Sequence, residues 1–135
     1  MIVAGTSLIA SLLLPTAATT EAEAVLEKDP EWVAPALWRS EFRNVLATWV
    51  KVMGLPVDAA VALFEKAEEV VGESEIEADT QEILRLAHRK KLSAYDAEFV
   101  ALAQILKIPL VTFDTGILKA VSQVAISPKG FTRSN

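Results

Sequence analysis

The chain has 135 residues, of which 52% are apolar, and it carries a formal net charge of −5 at pH 7. This length predicts one domain spanning residues 1–135, and the apolar fraction is sufficient to bury a core. The absence of cysteine excludes disulfides, zinc–thiolate sites and thiol chemistry, and it fits a reducing cytosol. The acidic balance argues against nucleic-acid binding through a broad basic face, but it allows an acidic nuclease site that metal ions neutralise.

The first twenty residues are apolar enough to be mistaken for a secretory signal. A signal peptide begins with a positively charged segment, and the first basic residue here is Lys28. The apolar run also ends at Leu14, which is short of the ~20 residues that a membrane-spanning helix requires. We therefore expect a soluble, cytoplasmic chain with no membrane segment, whose first residues form a buried strand and a helix.

Short apolar strands alternate with helices along the whole sequence. In chain order the predicted elements are a strand at 1–4, helices at 8–14 and 20–28, a strand at 32–34, helices at 36–53 and 56–71, an edge strand around Ile76, a helix at 80–91, a helix that begins at Ser93, a strand at 110–113, a helix at 116–121, a strand at 124–126 and a polar tail at 127–135. This alternation predicts an α/β fold in which helices cover both faces of a parallel sheet. It leaves the order of the strands open.

The most informative stretch, residues 92–116, joins a helix, a tight turn and a buried strand. Ser93 can cap the helix, with Asp96 at capping-box spacing, and Pro109 follows its end. Asp114 comes directly after the strand. Because ligands bind beyond the carboxyl ends of parallel strands, we expect Asp96 and Asp114 to face one crevice.

A third acid, Glu41, lies in the long helix at 36–53 among aromatic residues, with Asn44 on the same face. Each of the three acids also has an ordinary structural explanation. Glu41 can be a surface acid, Asp96 a first-turn acid of a capping box, and Asp114 the N-cap of the next helix. Taken together, with Asn44 and Thr112 as neutral oxygen donors, they favour a hard cation such as Mg²⁺ or Mn²⁺, which can promote phosphodiester cleavage.

Other candidate residues keep two interpretations each. Arg39 and Arg43 flank Glu41 and can hold an RNA backbone near it, and the basic end of the helix at 80–91 can complement the helix dipole or contact RNA phosphates. The three tryptophans are expected in the core or at a dimer interface. After the first strand, Thr6 or Ser7 is the predicted N-cap of the following helix.

Four segments of the sequence resemble the PIN-domain ribonucleases, and within them the VapC-type toxins of bacterial and archaeal toxin–antitoxin pairs. They are MIVAGTSLI, SEFRNVL, SAYDAEFVALA and PLVTFD, and the resemblance extends over almost the whole chain. It implies a three-layer α/β/α domain with a parallel sheet, homodimerisation, a cognate antitoxin, and an acidic pocket that binds Mg²⁺ or Mn²⁺ and cuts RNA. By this resemblance Glu41, Asp96 and Asp114 match three of the family's four core acids, and Asn44 and Thr112 match its frequent polar neighbours.

Position 5 departs from the family pattern. The pattern has Asp there, followed by Thr or Ser and a second Ser, whereas this chain has Gly5, Thr6 and Ser7. Glycine supplies no side-chain oxygen, so one metal ligand is missing; Gly5 can also serve a tight turn. Thr6, Ser7 and Thr112 are expected to orient water or phosphate.

Three functions follow from these residues. The first is a metal-dependent endoribonuclease that is impaired at position 5 and is restored by Gly5→Asp. The second is a non-catalytic PIN module that binds an antitoxin, RNA or a second copy of itself. The third is an α/β domain whose acids act only as helix caps.

Overall fold

A computed structural model describes residues 1–134, which contain eight helices and five short strands. In chain order these are β1 (Ile2–Ala4), α1 (Thr6–Leu13), α2 (Thr19–Lys28), β2 (Trp32–Ala34), α3 (Leu37–Met53), α4 (Val57–Val70), β3 (Val71–Glu73), α5 (Thr80–Lys90), α6 (Ala94–Leu106), β4 (Leu110–Val111), α7 (Thr115–Ala120), β5 (Ala125–Ile126) and α8 (Pro128–Arg133). All neighbouring strands are parallel. The predicted three-layer α/β/α fold with a parallel sheet is confirmed.

The strands hydrogen-bond in the order β3-β2-β1-β4-β5. β1 is therefore central, with β2 and β3 on one side of it and β4 and β5 on the other. This order makes β1 and β4 neighbours, with Val3 opposite Leu110 and Ala4 opposite Val111. The amide of Gly5 continues the pairing by donating to the carbonyl of Val111 at 3.0 Å. The carboxyl ends of β1 and β4 therefore lie level with each other at the switch point, where open α/β sheets bind ligands.

The core consists of the inner strands and the helices that pack on them. Ile2, Val3 and Leu110 are fully buried, and α6 packs against β1 and β4 with an almost wholly apolar surface. Trp32 and Trp38 are buried, as predicted for core residues, whereas Trp49 is half-buried. Within residues 1–134, none of the helices has both the length and the apolar character that a membrane crossing needs.

Two predicted elements are wrong. The edge strand is at Val71–Glu73 and not around Ile76, because Val71 enters the core while Ile76 is 46% exposed. Residues 127–135, predicted only as a polar tail, contain α8, whose start is capped by Ser127. Lys28 fixes its end, donating to the carbonyl of Phe131 at 2.6 Å, so α8 is anchored to α2. Asn135 lies outside the described residues.

Candidate active site

A small cavity of about 130 Å³ lies at the carboxyl ends of β1 and β4. Its polar side chains are those of Thr6, Ser7, Glu41, Asp96, Thr112 and Asp114. The three acids singled out from the sequence therefore share one cavity, although they come from α3, from α6 and from the turn after β4. Among residues 1–134, no lysine, arginine or histidine lines it. We call this the acidic cavity.

Both aspartates are held by helix starts. Ser93 Oγ accepts a hydrogen bond from the amide of Asp96 at 3.0 Å, which places Asp96 in the first turn of α6. Asp114 caps α7, because its Oδ1 accepts from the amide of Ile117 at 2.9 Å. The N-cap explanation of Asp114 is thus confirmed, and Asp96 is confirmed as a first-turn acid behind the Ser93 cap; neither position excludes a second role. Capping occupies only Oδ1 of Asp114 and leaves Oδ2 available to a ligand.

The acidic cavity carries uncompensated negative charge. Burial, and then the nearby charge of Asp114, raise the pKa of Asp96 above its usual value, and a hydrogen bond with Ser93 only partly opposes them. The pKa of Glu98, two residues further along α6, is also raised, first by burial and then by Glu41 and Glu77. A bound cation would favour the charged form of Asp96 and so oppose this rise in its pKa. Glu98 does not line the acidic cavity, and it borders a separate pocket near Leu37 and Ile83.

Glu41 is fixed by a hydroxyl and not by its neighbouring arginines. Thr6 Oγ1 donates to Glu41 Oε1 at 2.6 Å, and Glu41 is half-buried. Arg39 forms ion pairs with Glu68 and Glu73. The side chain of Arg39 is therefore paired with carboxylates of α4 and β3. It does not line the acidic cavity, although it was predicted to hold RNA near Glu41.

Arg43, the second predicted RNA-binding residue, also lies apart from the acidic cavity. Its guanidinium carbon sits 4.9 Å from the centre of the Phe64 ring, on the side of α3 that faces α4. Neither arginine lines the cavity, so contacts with an RNA backbone at these positions stay a prediction.

Ser7 and Thr112 form a small hydroxyl network that holds the turn carrying Asp114. Their oxygens are 3.2 Å apart. Ser7 Oγ accepts from the amide of Phe113 at 3.1 Å, and Thr112 Oγ1 accepts from the amide of Asp114 at 3.1 Å. The prediction that Thr6 or Ser7 caps α1 is wrong: Gly5 is the N-cap and supplies no side-chain bond. The two hydroxyls point instead to Glu41 and to the Asp114 turn.

Gly5 is required by close packing and not by backbone conformation. Its φ of −68° is accessible to any residue, so the tight-turn explanation does not account for it. A Cβ atom at this position would lie 2.9 Å from Thr112 Oγ1 and 3.0 Å from Thr112 Cβ. Because Thr112 is only 2% exposed and is held by the hydroxyl network, any side chain at position 5 must displace it.

The acids fit a divalent cation as a pair supported by a third residue. Within residues 1–134, no three acidic or histidine side chains converge into a ready-made ion site. Asp96 and Asp114, however, are close enough for the charge of one to raise the pKa of the other. Mg²⁺ usually takes one or two carboxylates and completes its shell with water and substrate phosphates. The Asp96–Asp114 pair meets that requirement, and Glu41 lines the same cavity.

Asn44 does not lie in the acidic cavity, although it was grouped with the metal ligands. It is exposed and lines a wider adjoining groove, together with Tyr95. Thr6 and Glu41 border both spaces. Tyr95 was not predicted, because the exposure of a side chain in the first turn of a helix is not visible in the sequence.

The fold and the cavity together define a parallel α/β domain with acids at its switch point. A family model described as "PIN domain" matches residues 2–123, and the chain belongs to that family. Its members are generally nucleases. No curated protein matches the sequence significantly.

Two solved structures are similar to the chain over nearly its whole length. One is PAE2754 from Pyrobaculum aerophilum, with 22% identity, a TM-score of 0.73, and coverage of 97% of this chain and 92% of that one. The other is FitAB bound to the IR36 DNA fragment, with 18% identity, a TM-score of 0.58, and coverage of 95% of each chain. At these identities the likeness confirms the fold.

Proposed function

We propose that the chain is a divalent-metal-dependent endoribonuclease of the VapC-like toxin type, with activity reduced by the glycine at position 5. The observation that carries the proposal is the acidic cavity. Three acids that match the family's pattern line it at the switch point of a PIN domain, with no basic side chain among the lining residues of the described chain. Mg²⁺ or Mn²⁺ is the expected ion, because the available ligands are oxygens.

Each polar residue of the acidic cavity has a definite task in this proposal. A bound ion supplies a polarised phosphate and a water of lowered pKa. Asp96 and Asp114, the latter through the Oδ2 that capping leaves free, would hold the ion, and the Ser7–Thr112 network keeps the Asp114 turn in place. Glu41 uses Oε1 to accept from Thr6, so its Oε2 is the oxygen that can take a proton from the attacking water.

The partners of the protein follow from the same proposal. RNA is the substrate, a cognate antitoxin covers the acidic cavity, and the chain forms a homodimer. One structural neighbour, FitAB, was solved on a DNA fragment. DNA is therefore the competing nucleic acid, and cleavage assays need single-stranded DNA of the same sequence beside each RNA.

Gly5 favours one alternative, a non-catalytic PIN module that binds an antitoxin, RNA or a second copy. A fourth acid at position 5 would have to displace Thr112, and three acids do not converge on one ion position within residues 1–134. This alternative predicts that millimolar Mn²⁺ does not bind.

Mn²⁺ binding separates the two functions, and calorimetry on a set of four proteins measures it. The parent chain is compared with Asp96→Asn, Gly5→Asp and Gly5→Ala, of which the last adds the Cβ without a carboxylate. We expect the parent to bind Mn²⁺ weakly, Asp96→Asn to lose binding, and Gly5→Asp to bind more tightly than both the parent and Gly5→Ala. RNA cleavage should rise in the same order.

One result would contradict the nuclease, and another would contradict only the explanation that a metal ligand is missing at position 5. If neither the parent nor Gly5→Asp binds Mn²⁺ while both remain folded, the non-catalytic module is the better description. If Gly5→Ala gains as much cleavage as Gly5→Asp, the gain comes from repacking Thr112 and not from a restored metal ligand.

A further inference from the structure

A wider groove, with a volume of about 580 Å³, adjoins the acidic cavity. The two share Thr6 and Glu41. The remaining lining side chains all lack charge: Leu37, Ser40, Asn44, Val45 and Tyr95. We call this space the Tyr95 groove. Its size is within the ~300–1,000 Å³ that small-molecule sites occupy.

Tyr95 is the notable side chain of this groove. It is 63% exposed, while the other aromatic residues in the described part of the chain are buried or half-buried. Tyr95 precedes Asp96 in the first turn of α6, so the backbone places a free aromatic face beside the acidic cavity. A single exposed apolar residue is ordinary on a protein surface, but an aromatic one that borders a candidate phosphodiester site is placed where a base of RNA could stack on it.

The charges around the groove decide which part of a nucleotide it suits. No basic side chain from residues 1–134 lines it, and Glu41 stands at its border. A phosphate placed here would be repelled by Glu41 and would find no cation to offset its charge, whereas a neutral base would not be repelled. Asn44 and Ser40 are exposed and can each donate and accept hydrogen bonds at the edge of a base.

We propose that the Tyr95 groove holds a nucleobase of single-stranded RNA next to the scissile phosphate, with the base stacked on Tyr95 and its edge hydrogen-bonded by Asn44. This inference rests on the proposed function, because the acidic cavity supplies the neighbouring phosphate position. Sequence-specific recognition of RNA generally relies on splayed bases that stack on aromatic side chains. The groove would then select the base, and the acidic cavity would cut the backbone.

The first test measures the affinity of the protein for fluorescein-labelled single-stranded RNA hexamers by fluorescence anisotropy in Mg²⁺. A gel checks that the hexamers stay uncleaved during the measurement. Tyr95→Ala should weaken binding by roughly 5- to 150-fold, the range expected for loss of one stacked base. Tyr95→Phe should retain most of the affinity. Ile105→Ala is the matched control, since Ile105 is an exposed apolar residue of the same helix that does not line the groove.

The second test uses the amide of Asn44 and the identity of the base. Asn44→Ala should flatten the preference among A, C, G and U hexamers. Gln104→Ala, which removes an exposed amide on α6 that lies outside the groove, should leave that preference unchanged. A preference that survives Asn44→Ala unaltered would overturn base reading by this residue.

An abasic substitution in the hexamer tests the stacked contact itself. If a base stacks on Tyr95, one abasic position should weaken binding to the parent chain but should not further weaken binding to Tyr95→Ala. Equal losses in the two proteins would overturn the proposal and would leave the groove to another occupant, such as a side chain of a partner protein.

Mn²⁺ calorimetry distinguishes failure of this inference from failure of the proposed function. Tyr95→Ala should bind Mn²⁺ as the parent does, and a loss of ion binding would mean that the substitution acts through the acidic cavity. RNA binding that depends on Tyr95 without any cleavage would refute the nuclease and keep the base site. Cleavage that is unaffected by Tyr95→Ala would keep the nuclease and refute the base site.

Discussion

The acidic cavity and the Tyr95 groove meet at Thr6 and Glu41 but are built in different ways. In the acidic cavity, side chains are fixed by backbone amides and hydroxyls: Asp114 caps α7, and Thr112 and Ser7 hold the turn before it. In the Tyr95 groove, Asn44 and Tyr95 are exposed on two helices. Side chains of the acidic cavity therefore also stabilise the fold, whereas side chains of the Tyr95 groove can be replaced without destabilising it.

This difference predicts which substitutions separate function from stability. A group that caps a helix or closes a turn cannot be removed without a structural cost, so its variants must preserve the hydrogen bond and change only the charge. Groove residues need no such precaution. The following predictions test the contrast, beginning with the largest expected effect.

The largest effect is expected for the charge of Asp114. Asparagine is as good an N-cap as aspartate, so Asp114→Asn should keep the bond to the Ile117 amide and leave thermal stability nearly unchanged. Mn²⁺ affinity should fall by at least about 10- to 100-fold, the loss typical even of residues that only support a ligand. Calorimetry with Mn²⁺ and thermal unfolding in EDTA measure the two quantities.

Asp79 provides the matched control for Asp114. It caps α5 with the same geometry, its Oδ1 accepting from the amide of Glu82 at 2.8 Å, and it does not line the acidic cavity. Asp79→Asn should therefore bind Mn²⁺ like the parent. If the two variants lose the same affinity, or if neither loses any, Asp114 is a helix cap and nothing more.

The next effect concerns the space beside Gly5. Gly5→Ala should lower the free energy of unfolding, because overpacking against Thr112 costs about 1–3 kcal/mol and exceeds the gain of about 0.4–1 kcal/mol from a stiffer unfolded chain. Gly72→Ala is the control, since its Cβ would meet the nearest atom at an ordinary 3.5 Å. Urea unfolding of the two variants gives the comparison, and equal stabilities would show that Thr112 yields freely.

The fold followed from sequence patterns, whereas the site was predicted only in part. Apolar runs such as Leu110–Val111 are buried because strands at the centre of a parallel sheet are covered on both faces, and that pattern is local. The three acids were found by their positions at a helix start, at a strand end and on an apolar face. The packing of Gly5 on Thr112 was not found, because it joins residues more than a hundred positions apart.

The side chains around Glu41 show the same limit. Arg39 and Arg43 flank it in the sequence, but α3 turns them toward α4 and β3, where Glu68, Glu73 and Phe64 engage them. The actual partner of Glu41 is Thr6, thirty-five residues away in the sequence. Residues two apart on a helix do not face the same side, so the position of the two arginines in the sequence did not indicate which groups they contact.

A moderate effect is expected when the Thr6 hydroxyl is removed. Thr6→Val keeps the side-chain shape but breaks the bond to Glu41, so the free energy of unfolding should fall by about 1 kcal/mol, and by up to about 3 because the acceptor is charged. Cleavage of RNA should fall as well, since Glu41 is then free to move. Thr6→Ser retains the hydroxyl and should keep both properties near those of the parent.

The smallest effect is the dependence of stability on the charge of Asp96. Because its pKa is raised in the folded protein, the folded state holds this proton more tightly than the unfolded state does. Ionised Asp96 therefore opposes folding, and this cost is absent below the unfolded pKa near 3.8 and fully present above the folded pKa. In EDTA, the stability of Asp96→Asn relative to the parent should accordingly rise with pH through that window and then level off.

Saturating Mn²⁺ should reverse the order at neutral pH, because only the parent gains binding free energy from the ion. Unfolding curves from pH 3 to pH 7, with and without Mn²⁺, test both signs. If the stability of Asp96→Asn relative to the parent falls with pH in EDTA, the carboxylate of Asp96 is stabilised by its helix start. The negative charge of the acidic cavity would then already be compensated.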